Sequence, residues 1–244
     1  TSEQSADFTS EDYFHGALQA CVKVSRVKVG NSCRAIGQEL LADKWMVSPE
    51  VARRTLERTT QRGVRTISHP SLSRRFRTND RQLRYKRLRH DVFTDTMQSK
   101  TKSRRGELYS QVYTTGFHWC RAHPMKLKSD AHDSLSLLFQ RDGVPPKMIM
   151  DGSKEQTLGR FKKKCQDADC RIKQTEPYSP WQNAAESAIR ELKKAAGRKM
   201  VRAGAPKPFW ADAIELEAYV RSNTAHDIFI LQGEVPETVM SGET

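Results

Sequence analysis

Hydrophobic positions fall into short runs and helical stripes between residues 91 and 224, with thinner patterns on either side. Val92-Phe93-Thr94-Asp95-Thr96-Met97 has the β-branched and aromatic content of a strand. Leu108 to Thr115 follows, alternating Leu108, Ser110, Val112 and Thr114, and His118 to Met125 makes a third run, with Gly106 and Gly116 at the turns. Strands so closely spaced predict an antiparallel meander. Ser129 to Gln140 has helical spacing, with Leu135, Leu138 and Phe139 inward, a Ser129-Asp130 cap, and a break at Gly143-Val144-Pro145-Pro146. Lys147 to Met150 is a short apolar strand ending on Asp151; residues 157–168 form a helix with Leu158, Phe161 and Cys165 on one side; Cys170 to Lys173 is a fifth strand. A helix from about Asn183 to Val201 presents Ile189, Leu192 and Ala196, and a last helix over 207–224 carries Phe209-Trp210, Ile214, Leu216 and Tyr219. Strand–helix alternation in the second half implies parallel pairing beside the meander. The pattern predicts a mixed five-stranded α/β sheet with flanking helices.

Outside this block the pattern is weaker. Residues 1–36 read as a polar linker or tail, with one short strand suggested by Val22, Val24, Val27 and Val29. Over 37–62, Leu40, Leu41 and Trp45 precede a second helix opened by Ser48-Pro49, with Val51, Ala52, Thr55 and Leu56 apolar and Arg53, Arg54, Arg58 and Arg62 outward. That is a helix-turn-helix pattern, and equally an ordinary helical hairpin with an arginine-rich outer face. After residue 226 a short apolar stretch leads to a polar end. The expected divisions are 1–36, a basic helical region over 37–90, a core over 91–226 and a connector over 227–244.

Charge changes the picture. The net charge is +13 and the pI about 9.7, and residues 51–90 hold thirteen Lys/Arg against two acids. Arg74, Arg75 and Arg77 around Phe76, and Arg84, Lys86 and Arg87 around Tyr85, interleave cations with aromatics in a way that suits phosphates and base stacking. The same strings fit a nuclear import signal or a solubilising linker. No apolar stretch reaches the ~20 residues of a membrane span, and the polar start shows no secretory leader. These features imply an intracellular protein, nuclear when it acts. A start without Met is what a piece cut from a polyprotein would have. Five cysteines at irregular spacings imply a reducing compartment, with Cys165 and Cys170 in the core. Between residues 37 and 90 the histidines are His69 and His90, with no cysteine, so four N/S ligands cannot be assembled and no structural zinc is expected.

Three acids remain as candidate chemistry. Asp151 closes a buried strand, Glu186 follows thirty-five positions later in the first turns of a helix, and Asp95 stands mid-strand, where a charge is costly unless paired or bound to metal. Asp91, at the strand edge, is the alternative to Asp95. Spacing alone decides little, since twenty-nine acids give roughly three pairs at any separation by chance. Context decides more. Pro177-Tyr178-Ser179-Pro180 followed by Gln182-Asn183 and Glu186 resembles the Pro-Tyr-x-Pro-x-Gln-Asn-x-x-Glu box of copia-type retrotransposon integrases. The resemblance extends over about residues 91–225 and implies a ribonuclease H-like fold in which Asp95, Asp151 and Glu186 meet as a catalytic triad. It implies two Mg²⁺ or Mn²⁺ ions, three hard oxygen donors being suited to them, and trimming of DNA ends followed by attack of the 3′-hydroxyl on target DNA. It also implies that Tyr178, Gln182 and Asn183 line the DNA path, and that the protein is a homo-oligomer on double-stranded DNA. Arg190 and Lys193 share a helix face with Glu186 and could hold a phosphate there. The chain departs from the family in lacking the zinc finger, in Gly152 and Gln156 after Asp151, and in Ser187 where Arg is common. The alternatives are an integrase that only binds nucleic acid, a ribonuclease H using Asp130 or Asp133, and a cut-and-paste transposase.

Overall fold

The structure is a computed structural model, and it describes residues 37–59, 85–151, 159–176 and 183–241. The strand suggested near Val22, the basic string through Arg84, and Pro177 to Gln182 lie outside the described residues.

Five strands form one sheet: β1 Val92–Gln98, β2 Tyr109–Thr114, β3 Cys120–Met125, β4 Lys147–Met150 and β5 Arg171–Gln174. Their order is β3-β2-β1-β4-β5. The first three make the antiparallel meander, and β1–β4 and β4–β5 are parallel. This order and these directions are those of a ribonuclease H-like sheet. The central β4 is Lys-Met-Ile-Met, the near-continuous apolar run of a strand covered on both sides. Pro124 sits in β3, an edge strand, where a missing N–H breaks no inner ladder. The same edge is further protected by Ser222, whose hydroxyl accepts from Cys120 N–H and donates back to its carbonyl, both at 2.7 Å.

Helices lie on both faces. A 3-10 turn, Lys128–Asp130, leads into α3 Ala131–Arg141, and α4 follows at Gly159–Asp167. Leu135, Leu138 and Phe139 of α3 and Phe161 and Cys165 of α4 pack on Val92, Tyr113, Met148 and Met150. On the opposite face, α5 Ala184–Arg202 and α6 Trp210–Asn223 bring Ile189, Leu192, Trp210 and Ile214 against Met97, Val112 and Ala122. Full burial of each such side chain contributes about 1.5–3 kcal/mol. Ser129-Asp130 does not cap α3 as expected: the Asp130 carboxylate accepts from Leu127 N–H at 3.1 Å instead, tightening the turn before the helix. Leu216 and Tyr219, grouped with the apolar residues of the last helix, are exposed. Nor is α6 the last helix, because α7 Pro236–Ser241 follows and seats Met240, with Leu231 before it, in the first core.

The N-terminal hairpin is α1 Gln38–Trp45 and α2 Pro49–Arg58, the latter capped by Ser48, whose hydroxyl accepts from Val51 N–H. It rests on the segment after α6, where Thr55 accepts from Ala225 N–H at 2.9 Å. Its arginines are engaged inside the protein. Arg53 pairs with Glu50 and Glu57, Arg54 with Glu50 and Asp227, and Arg58 with Glu234. Hydrogen bonds from Arg53 and Arg54 hold the Glu50 carboxyl down at about 2. Among the described residues, no helix is long and apolar enough to cross a membrane.

Candidate active site

The parallel register of β1 and β4 pairs Phe93 with Ile149 and Thr94 with Met150. One residue further along, Asp95 stands beside Asp151, on strands about 4.8 Å apart. Asp95 also lies opposite Val112 of β2, and paired residues share a face. Its carboxylate therefore belongs to the face that α5 and α6 cover. β4 stops at Met150, and its last carbonyl accepts from Thr175 N–H at 2.9 Å, which leaves Asp151 exposed at the C-terminal end of the sheet.

Glu186 comes to this end from the first turn of α5. The start of that helix is set by Asn183, buried, whose side-chain oxygen accepts from Ala185 N–H at 3.0 Å. The cap engages the Asn183 side chain and fixes where Glu186 begins. Glu186 is exposed and lies 3.5 Å from Arg190, one turn on. Lys193, a further turn along, makes no ion pair among the described residues and is exposed.

Asp95 is half-buried, and its carboxyl is shifted above the ordinary carboxylate range. Burial is the main cause; the negative charges of Asp151 and Glu186 add to it. A hydrogen bond from Thr96 N–H to Oδ1, at 2.7 Å, and the charge of Lys128 oppose the shift. Lys128 itself lies 5.8 Å from the centre of the Tyr109 ring, beyond the same end of the sheet. The donor set is chemically suited to a hard divalent cation: carboxylate oxygens whose charges repel each other. Among the described residues, however, no three His, Cys, Asp or Glu side chains are grouped closely enough to hold an ion.

Sequence reading missed the support beneath Asp95. On the other face of β1, Gln111 donates to Thr94 at 2.6 Å and accepts from Thr96 at 2.6 Å, while Thr94 donates to Val112 C=O at 2.9 Å. Thr94 and Gln111 are fully buried. The one available signal was the Thr-Asp-Thr run, which on an alternating strand puts two hydroxyls on the face opposite the acid.

The remaining candidates are elsewhere. Asp91 pairs with Lys147 at 2.6 Å at the start of β1, about 13 Å from Asp95 at the rise of a strand. Asp133 is held by His132 and Lys164. Lys86 donates to Ser241 C=O at 2.9 Å and Arg87 to Asp169 C=O at 3.3 Å. Arg74, Arg75, Arg77, Arg84, Tyr178 and Gln182 lie outside the described residues.

No protein-family profile matches the chain, and no curated protein matches its sequence. Several solved structures align with part of the chain. The simian T-cell lymphotropic virus intasome, in complex with PP2A regulatory subunit B56 gamma, aligns at a TM-score of 0.49 and 14% identity over 62% of this chain and 54% of the other, so the chain spans about half the length of that protein. The catalytic core domain of BIV integrase aligns at 0.49 and 16% identity, over 62% of this chain and 93% of that one. The HTLV-2 integrase catalytic core domain, a trimeric form in complex with magnesium, aligns at 0.47 and 10% identity, over 62% and 95%. The fold assignment stands on the strand order and pairing described above.

Proposed function

We propose that this chain is a polynucleotidyl transferase of the integrase type, acting on DNA ends and target DNA, with Asp95, Asp151 and Glu186 as its three acids. The observation that supports the reading is the β1–β4 register, which sets Asp95 beside Asp151 at the C-terminal end of the sheet, with the charges of Asp151 and Glu186 both near enough to raise the Asp95 carboxyl. The Pro177–Glu186 box supports it independently, as a sequence likeness to copia-type integrases.

The proposed roles follow from position. Asp95, oriented by Thr96 N–H, and Asp151 beside it form the fixed wall of the site. Glu186, on its own helix, closes the third side. A phosphodiester is itself anionic, so three carboxylates alone would repel it. A divalent ion bound there, Mg²⁺ or Mn²⁺, would supply Lewis-acid polarisation of the phosphoryl oxygens. From the protein, Lys193 is free to take a phosphate, and Arg190 could exchange its contact with Glu186 for one. In the transfer step a 3′-hydroxyl oxygen bonds to the target phosphorus and gives its proton to solvent, while the bond to the target's own 3′ oxygen breaks and that oxygen takes up a proton from solvent to leave as a hydroxyl.

One observation favours a protein that binds DNA without joining it: Glu186 is paired with Arg190 rather than drawn against the two aspartates. A strand-transfer assay on short donor duplexes, with Mg²⁺, Mn²⁺ or chelator, separates the two. Joined product that requires the metal and disappears in Asp151→Asn establishes the transferase; salt-sensitive DNA binding with no product establishes the binder.

A further inference from the structure

Two cations on β5 play no part in the site described above. Along this strand Arg171 and Lys173 are exposed and Ile172 is half-buried. The register pairs Arg171 with Lys147 and Lys173 with Ile149, and β1 pairs Phe93 with the same Ile149. Paired residues share a face, so Arg171 and Lys173 lie on the face of Asp95. The next position in that row, after Lys147 and Ile149, is Asp151. α5 covers this face at β1 and β2, and α6 covers it at β3. At β5 both side chains are open to solvent, and among the described residues neither has an ion pair.

Other cations of the chain are engaged. The arginines of α2 are all held by acids, and Arg87, Arg121 and Lys164 are likewise paired. The spacing is also informative. Residues i and i+2 of a strand advance about 6.6 Å and point to the same side, so Arg171 and Lys173 present two cations in a row, spaced to meet separate phosphates of a backbone that carries one charge per nucleotide. The guanidinium can grip one in two places, and the ammonium holds another as a point charge.

We propose that the open face of β5, through Arg171 and Lys173, is a track for the phosphate backbone of duplex DNA leading to the carboxylate end of the sheet. The choice of DNA rests on the transferase reading; the surface does not. Lys162 and Lys163 give an internal control, because they are also exposed but sit on α4, whose Phe161 and Cys165 pack on the opposite face.

The test is duplex binding by the full chain over a range of salt, for the wild type, an Arg171→Ala/Lys173→Ala variant and a Lys162→Ala/Lys163→Ala variant. The expected result is a slope of log K against log salt that is shallower by about 1.8 for the β5 variant, 0.9 for each lost phosphate contact, with the α4 variant unchanged. An unchanged slope in the β5 variant overturns the track, as does an equal loss in both variants. So does loss of binding to poly-glutamate with duplex binding intact. All four residues are exposed, and circular dichroism confirms folding of each variant. Strand transfer is assayed on the same preparations. A shallower slope without joined product leaves the track standing and removes the transferase; joined product with an unchanged slope does the reverse.

Discussion

On one face of β1, Thr94 and Thr96 are joined through Gln111 into a network in which each polar atom named has a partner within 2.9 Å. On the other face, between the same two threonines, Asp95 holds one backbone hydrogen bond and faces two like charges. The strand is the same; only the alternation of side chains separates the two environments. The closed face fixes the geometry of the backbone, and the open face leaves a charge unsatisfied by the protein. A buried polar network that is complete adds rigidity, whereas a carboxyl perturbed by burial and like charges is a candidate functional group.

Breaking the open face gives the largest effect expected. Asp95→Asn keeps the shape and removes the disfavoured charge. Joined product should fall by at least 10²–10³-fold, on the order of removing one electrostatic contact to a transition state, while the melting temperature at pH 7 stays level or rises. A lower melting temperature would mean that the Asp95 charge is well paired and that the two faces of β1 do not differ in this way. Breaking the closed face reverses the pattern. Gln111→Leu leaves the Thr96 hydroxyl without its acceptor and should lower stability by about 1–3 kcal/mol, read from the denaturant midpoint. A neutral result would show that the network does not stiffen β1.

The same side of the sheet offers a titration. Burial, the main cause, holds His123 at about 4, and His118, in the turn before β3, is held at about 4 by burial and by the Arg221 charge. Both stay neutral in the fold while the unfolded chain protonates near the ordinary value of about 6.5. Between those values the unfolded state binds more protons, so stability is complete above pH 6.5 and declines as pH falls toward 4. Thermal melts across that range should show it, and a flat profile would count against the burial of these rings. The smallest effect concerns α5. A Cβ at Gly197 would meet nothing within 4 Å, so Gly197→Ala should add up to about 1 kcal/mol. Strand transfer should not change if the helix is a rigid carrier of Glu186.

Much of the sheet was legible in the sequence because its strands differ in kind. The β-branched run at Val92, the alternation from Leu108 and the apolar Lys147–Met150 each carry a local signal, and their boundaries moved by one residue at most. Of the proposed acids, the β1–β4 register sets Asp95 beside Asp151 and the Asn183 cap fixes where Glu186 begins, while among the described residues no three acids are grouped closely enough to hold an ion. What was not legible depended on distant residues. Gln111 is seventeen positions from Thr94, and nothing near it in the chain shows that it is buried. Arg54 and Arg58 read as an outward face, and their contacts with Asp227 and Glu234 were not legible because those acids lie far along the chain. The Ser129-Asp130 cap failed because a 3-10 turn used the Asp130 carboxylate first.

Glu237, at the start of α7, accepts from Trp119 Nε1 at 3.0 Å and from Arg121 at 2.7 Å. These partners are 118 and 116 positions apart. On a ribosome adding 5–20 residues per second, β3 would leave the exit well before Glu237, by roughly 6 to 24 s. Through that interval the edge of the sheet carries a buried-type indole and a guanidinium with Glu237 still unmade. Final closure of this edge therefore waits on translation of Glu237, whatever the meander's own rate of pairing.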